Sequence, residues 1–201
     1  MNSNTSGAVM AAEPTLTAAE REQARTYLQQ AHDGITGAIK GLSPAQWKFT
    51  PSPDCWSIAG VVEHVIFVHQ LVLGPIRQQL ATAPAPPADR DHEYVDSVIL
   101  GRFPNRISKF PAPLASHPTG RFASPAEALK SLELIYAELN AYVETPDLRQ
   151  HATDAMPIKA ITNGAYQTMD GYQWILASAA HCERHTKQIL EVRADPKFPA
   201  A

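Results

Sequence analysis

The run Val61-Val62-Glu63-His64-Val65-Ile66-Phe67-Val68 is apolar on nearly every side when wound as a helix, yet it holds a carboxylate and an imidazole. Such a helix has to be covered on more than one face. Ser57 is placed to cap it, and the pattern runs from about Ile58 to Leu80. Gly74-Pro75 falls inside, where proline deletes a backbone hydrogen bond and crowds the preceding turn, so a kink is expected.

Three more long helical patterns supply partners. Thr17 with Glu20 reads as a capping box for a helix to about Lys40, with Tyr27, Leu28, Ala31, Ile35, Ala38 and Ile39 as its inward stripe. Ser43-Pro44 opens a short helical turn through Trp47. Ser124-Pro125 opens a helix to about Glu144, and the last runs from about Asp170 to Val192. Residues 83–123 carry seven prolines and read as a long irregular connection between the second and third helices, with a short helix near Tyr94 to Leu100. No period-2 strand is evident. The expectation is an all-α four-helix bundle over residues 17–201, after a flexible N-terminus at 1–16.

Composition narrows the function classes. The 201 residues carry 17 Lys and Arg against 20 Asp and Glu, for a net charge of −3, and the basic residues are scattered. Nucleic acid is not an expected partner. Two cysteines, Cys55 and Cys182, form neither a disulfide framework nor a Cys-x-x-Cys pair and suit a reducing compartment. The N-terminus lacks a signal-peptide core, and no stretch holds the roughly 18 uncharged apolar residues of a span, so no membrane partner and a cytoplasmic location are expected.

His181 and His185 are four residues apart on the last helix and share a face, and His64 looks into the apolar stripe of the second. Two readings fit: each imidazole bonds a carbonyl or a tyrosine hydroxyl in the core, or the three bind one metal ion. Cys182 stands where a His-Glu-x-x-His protease has its base, which disfavours a zinc protease. His69 lies about 140° from His64 and is expected to be packed or dimer-facing. His32, His92, His117 and His151 read as solvated or loop residues. Glu63 and Glu183 are not placed as a base by spacing; Asp91, Glu93, Asp96 and Arg106 are candidates from the long connection. Gln188, one turn past His185, could orient a ligand or a bound water, and Arg184 could reach an anionic group at the site's edge.

Trp56-Ser57-Ile58 ahead of His64 is one of three signatures. Lys109-Phe110-Pro111-Ala112-Pro113 leads to Pro118-Thr119-Gly120-Arg121-Phe122. Asp170-Gly171-Tyr172-Gln173-Trp174 precedes His181-Cys182-Glu183-Arg184-His185-Thr186-Lys187-Gln188-Ile189 and Glu191-Val192. In this order, over residues 20–201, the chain resembles the DinB-like superfamily of bacterial metal-binding helical bundles. The resemblance implies an up-down-down-up bundle with a divalent ion on His64, His181 and His185, and thiol-dependent transfer or hydrolysis as the activity. Cys182 departs from the threonine common at that place.

Three neutral imidazoles leave a coordination position open, the pattern of a catalytic ion. Together with what the resemblance implies, the leading expectation is transfer of a low-molecular-weight thiol to a small electrophile. Hydrolysis of a small ester or amide is the first rival, and a non-catalytic metal- or ligand-binding stress protein the second. Zinc or nickel, and also iron or copper, suit three imidazoles. Apolar back faces including Ile66, Leu73, Leu176 and Leu190 leave room for a homodimer, although packing within the chain explains them equally well.

Overall fold

The computed structural model describes residues 15–107 and 112–200, and the chain is mostly helical. The expected N-terminal segment therefore lies almost wholly outside the described residues, as does part of the 109–113 signature. Helix α1, Ala18–Ile39, opens on the anticipated box, with the Glu20 amide donating to Thr17 Oγ1 at 3.2 Å and the Thr17 amide to Glu20 Oε2 at 2.7 Å. Ser43 and Gln46 repeat the device at α2, Pro44–Lys48, whose Trp47 is fully buried with its indole N–H on the Phe122 carbonyl at 3.1 Å. Reciprocal caps satisfy amides that a helix start otherwise leaves bare.

Helix α3, Ile58–Leu71, buries Ile58, the run Gly60 to Ile66, and His69. The expected kink takes the form of a π-turn, Val72–Ile76, around Pro75, followed by the single turn α4, Arg77–Leu80. A proline ring cannot sit under the carbonyl of a regular turn, and a wider turn makes room for it. The whole run Ile58–Leu80 is long and apolar enough to cross a membrane by length and composition, and 56% of its most apolar window is buried inside the fold.

The long connection contains α5, His92–Arg102, capped by Asp91 through the Tyr94 amide at 2.8 Å, and a 3-10 turn at Leu114–Ser116. Helix α6 spans Pro125–Val143. One expectation needs correction, because strands β1, Ala152–Asp154, and β2, Thr168–Asp170, pair antiparallel around α7, Met156–Ile161. Three residues are too few for an alternating pattern to register. The ribbon matters because β2 ends on Asp170, the cap of α8, Gly171–Arg193.

Helix α1 packs on α8 and α6, and α3 packs on the same two helices, so the four long helices form a closed ring of contacts. Ile35, Ile39, Ile58, Ile66, Leu139, Ile175 and Leu176 fill its centre. Of the apolar back-face residues, Ile66 and Leu176 are taken up by packing within the chain, whereas Leu190 is exposed. Close to the start of α8 lies a buried charge cluster. Arg149 reaches Glu20 and Asp96 at 2.6 Å each and Asp170 at 3.2 Å. Arg90 donates to the Thr168 carbonyl and to Gln173 Oε1, both at 2.6 Å, and Gln173 donates to Asp96 at 2.9 Å. These bonds tie α1, α5 and the ribbon to the first turn of α8.

Candidate metal centre

His64 from α3 and His181 and His185 from α8 come together, one nitrogen of each lying within 4.8 Å of the others. The His181 Nε2 atom is 3.1 Å from His64 Nε2 and 3.1 Å from His185 Nε2. His64 and His185 are buried.

The outer nitrogens decide what the inner ones can do. His64 Nδ1 lies 3.0 Å from the Ser116 carbonyl and His185 Nδ1 lies 2.8 Å from Gln188 Oε1. Both partners only accept, so both Nδ1 atoms carry the proton and both Nε2 atoms present lone pairs. His181 Nε2 can donate at most one hydrogen, which leaves at least one pair of lone pairs facing each other at hydrogen-bond distance. A shared cation resolves that conflict. Three nitrogens about 2.1 Å from an ion at tetrahedral angles stand about 3.4 Å apart, close to the spacing found. The donor set fits a divalent ion with one position left over.

Burial makes these rings ready ligands. Removal from water disfavours the imidazolium at all three, pushing His64 down, His181 well down and His185 to about 3, with the neighbouring imidazoles acting in the same direction on His181 and His185. Neutral imidazole is the form a metal needs.

The carboxylates singled out earlier have other tasks. Glu63 Oε1 accepts from the Thr119 amide and hydroxyl, and Oε2 from the Gly120 and Arg121 amides. Burial opposes its ionisation, but these bonds outweigh it and hold the carboxyl below its usual range. Glu183 accepts from Tyr27 at 2.7 Å and pairs with Lys187 at 2.7 Å. Asp91 caps α5 and Asp96 belongs to the Arg149 cluster.

Arg106 does come to the site, forking onto Glu191 at 2.7 Å twice and reaching Gln188 Oε1 at 3.3 Å. Gln188 Oε1 thus lies between His185 Nδ1 and the Arg106 guanidinium. Arg184 donates to the Asn105 carbonyl, and both guanidinium groups help disfavour the charged form of His185. With Glu191 paired to Arg106, the lip of the site carries both signs of charge.

Other histidines sort differently. His69 is packed, with Nε2 3.0 Å from the Ser178 carbonyl. His32, expected to be solvated, stacks on Tyr136 with centroids 4.5 Å apart and is largely covered. Trp56, singled out in the sequence only as part of a signature, has its ring 5.0 Å from that of His64 and 5.5 Å from that of exposed His117. Ser116 was missed, since it acts through a backbone carbonyl that any residue would supply. The prolines around it were the only local signal.

Residues 27–189 match the family profile described as the DinB superfamily, and the chain belongs to that family. A curated relative, the uncharacterized protein YuaE of Bacillus subtilis (strain 168), is 22% identical over 155 residues, covering 77% of this chain and 88% of its own. No solved structure matches the chain.

Proposed function

We propose that the protein is a metal-dependent enzyme that transfers a low-molecular-weight thiol to a small electrophile, with His64, His181 and His185 as ligands. The observation that carries this is the pair of lone pairs locked toward His181 Nε2 by Ser116 and Gln188. A divalent ion held there would supply a Lewis acid that lowers the pKa of a coordinated thiol. The helix directions in this reading are up-down-down-up.

The chain's own residues divide the remaining work. Ser116 and Gln188 hold two rings in the ligating tautomer, and Trp56 walls the His64 side. Arg106, forked onto Glu191, and Arg184, bonded to the Asn105 carbonyl, stand at the edge. Glu63 and Glu183 are engaged in other bonds, and this favours a thiol over water as the nucleophile. A thiol needs less help from a base, having an ordinary pKa of about 8.5.

A screen of the zinc- or nickel-loaded protein with bacterial thiols and haloaromatic or epoxide electrophiles tests the reading. Thiol-dependent product formation that disappears in His181→Ala is the expected result. Turnover of esters without thiol would point to a hydrolase, and no turnover at all to a binding protein.

A further inference from the structure

Glu63 and His64 are consecutive; His64 is bound by the last residue of the 3-10 turn at Leu114–Ser116, and Glu63 by the segment that follows it. The Ser116 carbonyl takes the His64 Nδ1 proton at 3.0 Å. Three residues later the following segment donates to Glu63 through the Thr119 amide at 2.7 Å, the Thr119 hydroxyl at 2.8 Å, the Gly120 amide at 2.9 Å and the Arg121 amide at 3.0 Å. Gly120 makes this possible with φ +86°, a left-handed conformation that aims successive amides at one anion.

A third contact completes the seat. One turn before His64, Gly60 lies against Pro118, so that a Cβ at Gly60 would stand 3.1 Å from Pro118 Cγ. Residues 117–124 have no regular hydrogen-bonding ladder of their own to hold them there. The Ser116 amide and hydroxyl are held by the Pro113 carbonyl at 2.9 and 2.8 Å. Its own carbonyl, however, belongs to the following peptide, whose direction depends on what holds the segment to α3, and the bonds to the Glu63 carboxylate are the charged holds there.

We infer that Glu63 is a positioning residue for the centre: by clamping residues 119–121 to α3 it fixes the Ser116 carbonyl on His64 Nδ1, and so keeps the His64 Nε2 lone pair aimed at His181. The link to metal binding rests on the reading of the three histidines as ligands. The link to the His64 tautomer does not. Replacing the carboxylate by an amide puts an NH2 against backbone N–H donors, which frees the segment and lets the His64 proton move to Nε2.

Long-range 1H–15N correlation spectra of metal-free, 15N-histidine protein read that tautomer directly. Wild type is expected to show His64 protonated at Nδ1, and Glu63→Gln a mixture or the Nε2 form. Cobalt(II) titration is expected to show a 10- to 100-fold weaker Kd in Glu63→Gln, the usual size of a lost ligand-orienting partner. Gly60→Ala, which keeps the carboxylate but pushes on Pro118, is expected to move both readouts the same way. Should Glu63→Gln fail to fold, Gly60→Ala and Thr119→Val carry the test. Nδ1 protonation of His64 and a Kd within twofold of wild type in the folded variants would overturn the inference, even if they melt earlier. If wild type binds no cobalt, the ligand reading fails, and the tautomer still decides the role of Glu63.

Discussion

Arg149 Nη1 lies 3.2 Å from Asp170 Oδ2, so the residue that caps the helix of His181 and His185 is itself held by a buried cation. Asp170 accepts the Gln173 amide at 2.8 Å as cap, and Arg149 carries its charge pairing onward to Glu20 and Asp96. Arg149→Met would leave Asp96 and Asp170 in the interior without their counter-charge. The expected cost is about 3 to 5 kcal/mol, read as a lower urea midpoint with little change in slope. A midpoint equal to wild type would mean the cluster contributes no net stability.

One divalent ion per chain is expected in native protein by elemental analysis, and none in His64→Ala, His181→Ala or His185→Ala. The substitutions remove one nitrogen each from a set of three. Retention of a full equivalent in any one variant would move the site elsewhere.

The two thiols should behave oppositely. Cys182 is 2% exposed, donates to the Ala31 carbonyl at 3.4 Å, and burial pushes its thiol up to about 12. Cys55 is exposed. A disulfide reagent at neutral pH should therefore titrate one thiol in native protein and two in denaturant. Rapid reaction at both in native protein would contradict the packing of α8 on α1.

Buried His69 sets an acid limit. Removal from water brings its pKa from 6.5 to about 4, opposed by the Ser178 hydrogen bond and helped by nearby His64. The unfolded chain then binds the proton first, so stability is complete above about pH 6.5 and falls as pH drops toward 4. The loss attributable to this group is about 3 kcal/mol across that window. In metal-free protein, His69→Phe should make the stability profile less steep between pH 6.5 and 4, leaving the share of His64, His181 and His185; an unchanged slope would dismiss His69 as a contributor.

Gly171 opens α8 where no side chain fits. A Cβ there would stand 2.9 Å from Leu148 Cδ2 and 3.0 Å from the Leu148 carbonyl, which also accepts the Gly171 amide at 2.7 Å. Gly171→Ala should cost about 1 to 3 kcal/mol in thermal unfolding. A neutral result would show that the Leu148 backbone can withdraw.

The histidine set was legible because i, i+4 spacing and an apolar helix around His64 are periodic signals. Helix starts at Thr17, Ser57 and Ser124 were equally plain, since a cap is a local contest between one side chain and nearby amides. What escaped depends on contacts distant in the chain. The roles of Ser116 and Glu63 arise from a segment more than fifty residues from their partners. The β1–β2 ribbon is too short to carry a pattern, and His32 took cover beneath Tyr136 on another helix. Of the candidates in the long connection Arg106 reached the site, whereas Asp91 went to a helix cap and Asp96 to the Arg149 cluster.

The π-turn at Val72–Ile76 divides one continuous rod into two stretches whose facing is set independently. An added residue in a turn rotates everything beyond it by about 100°. Leu80 points inward on terms unrelated to those that aim His64 at its partners. Substitution downstream of Pro75 can thus drift without disturbing the histidine upstream, whereas deleting a single residue from the turn would twist the distal stretch out of its seat.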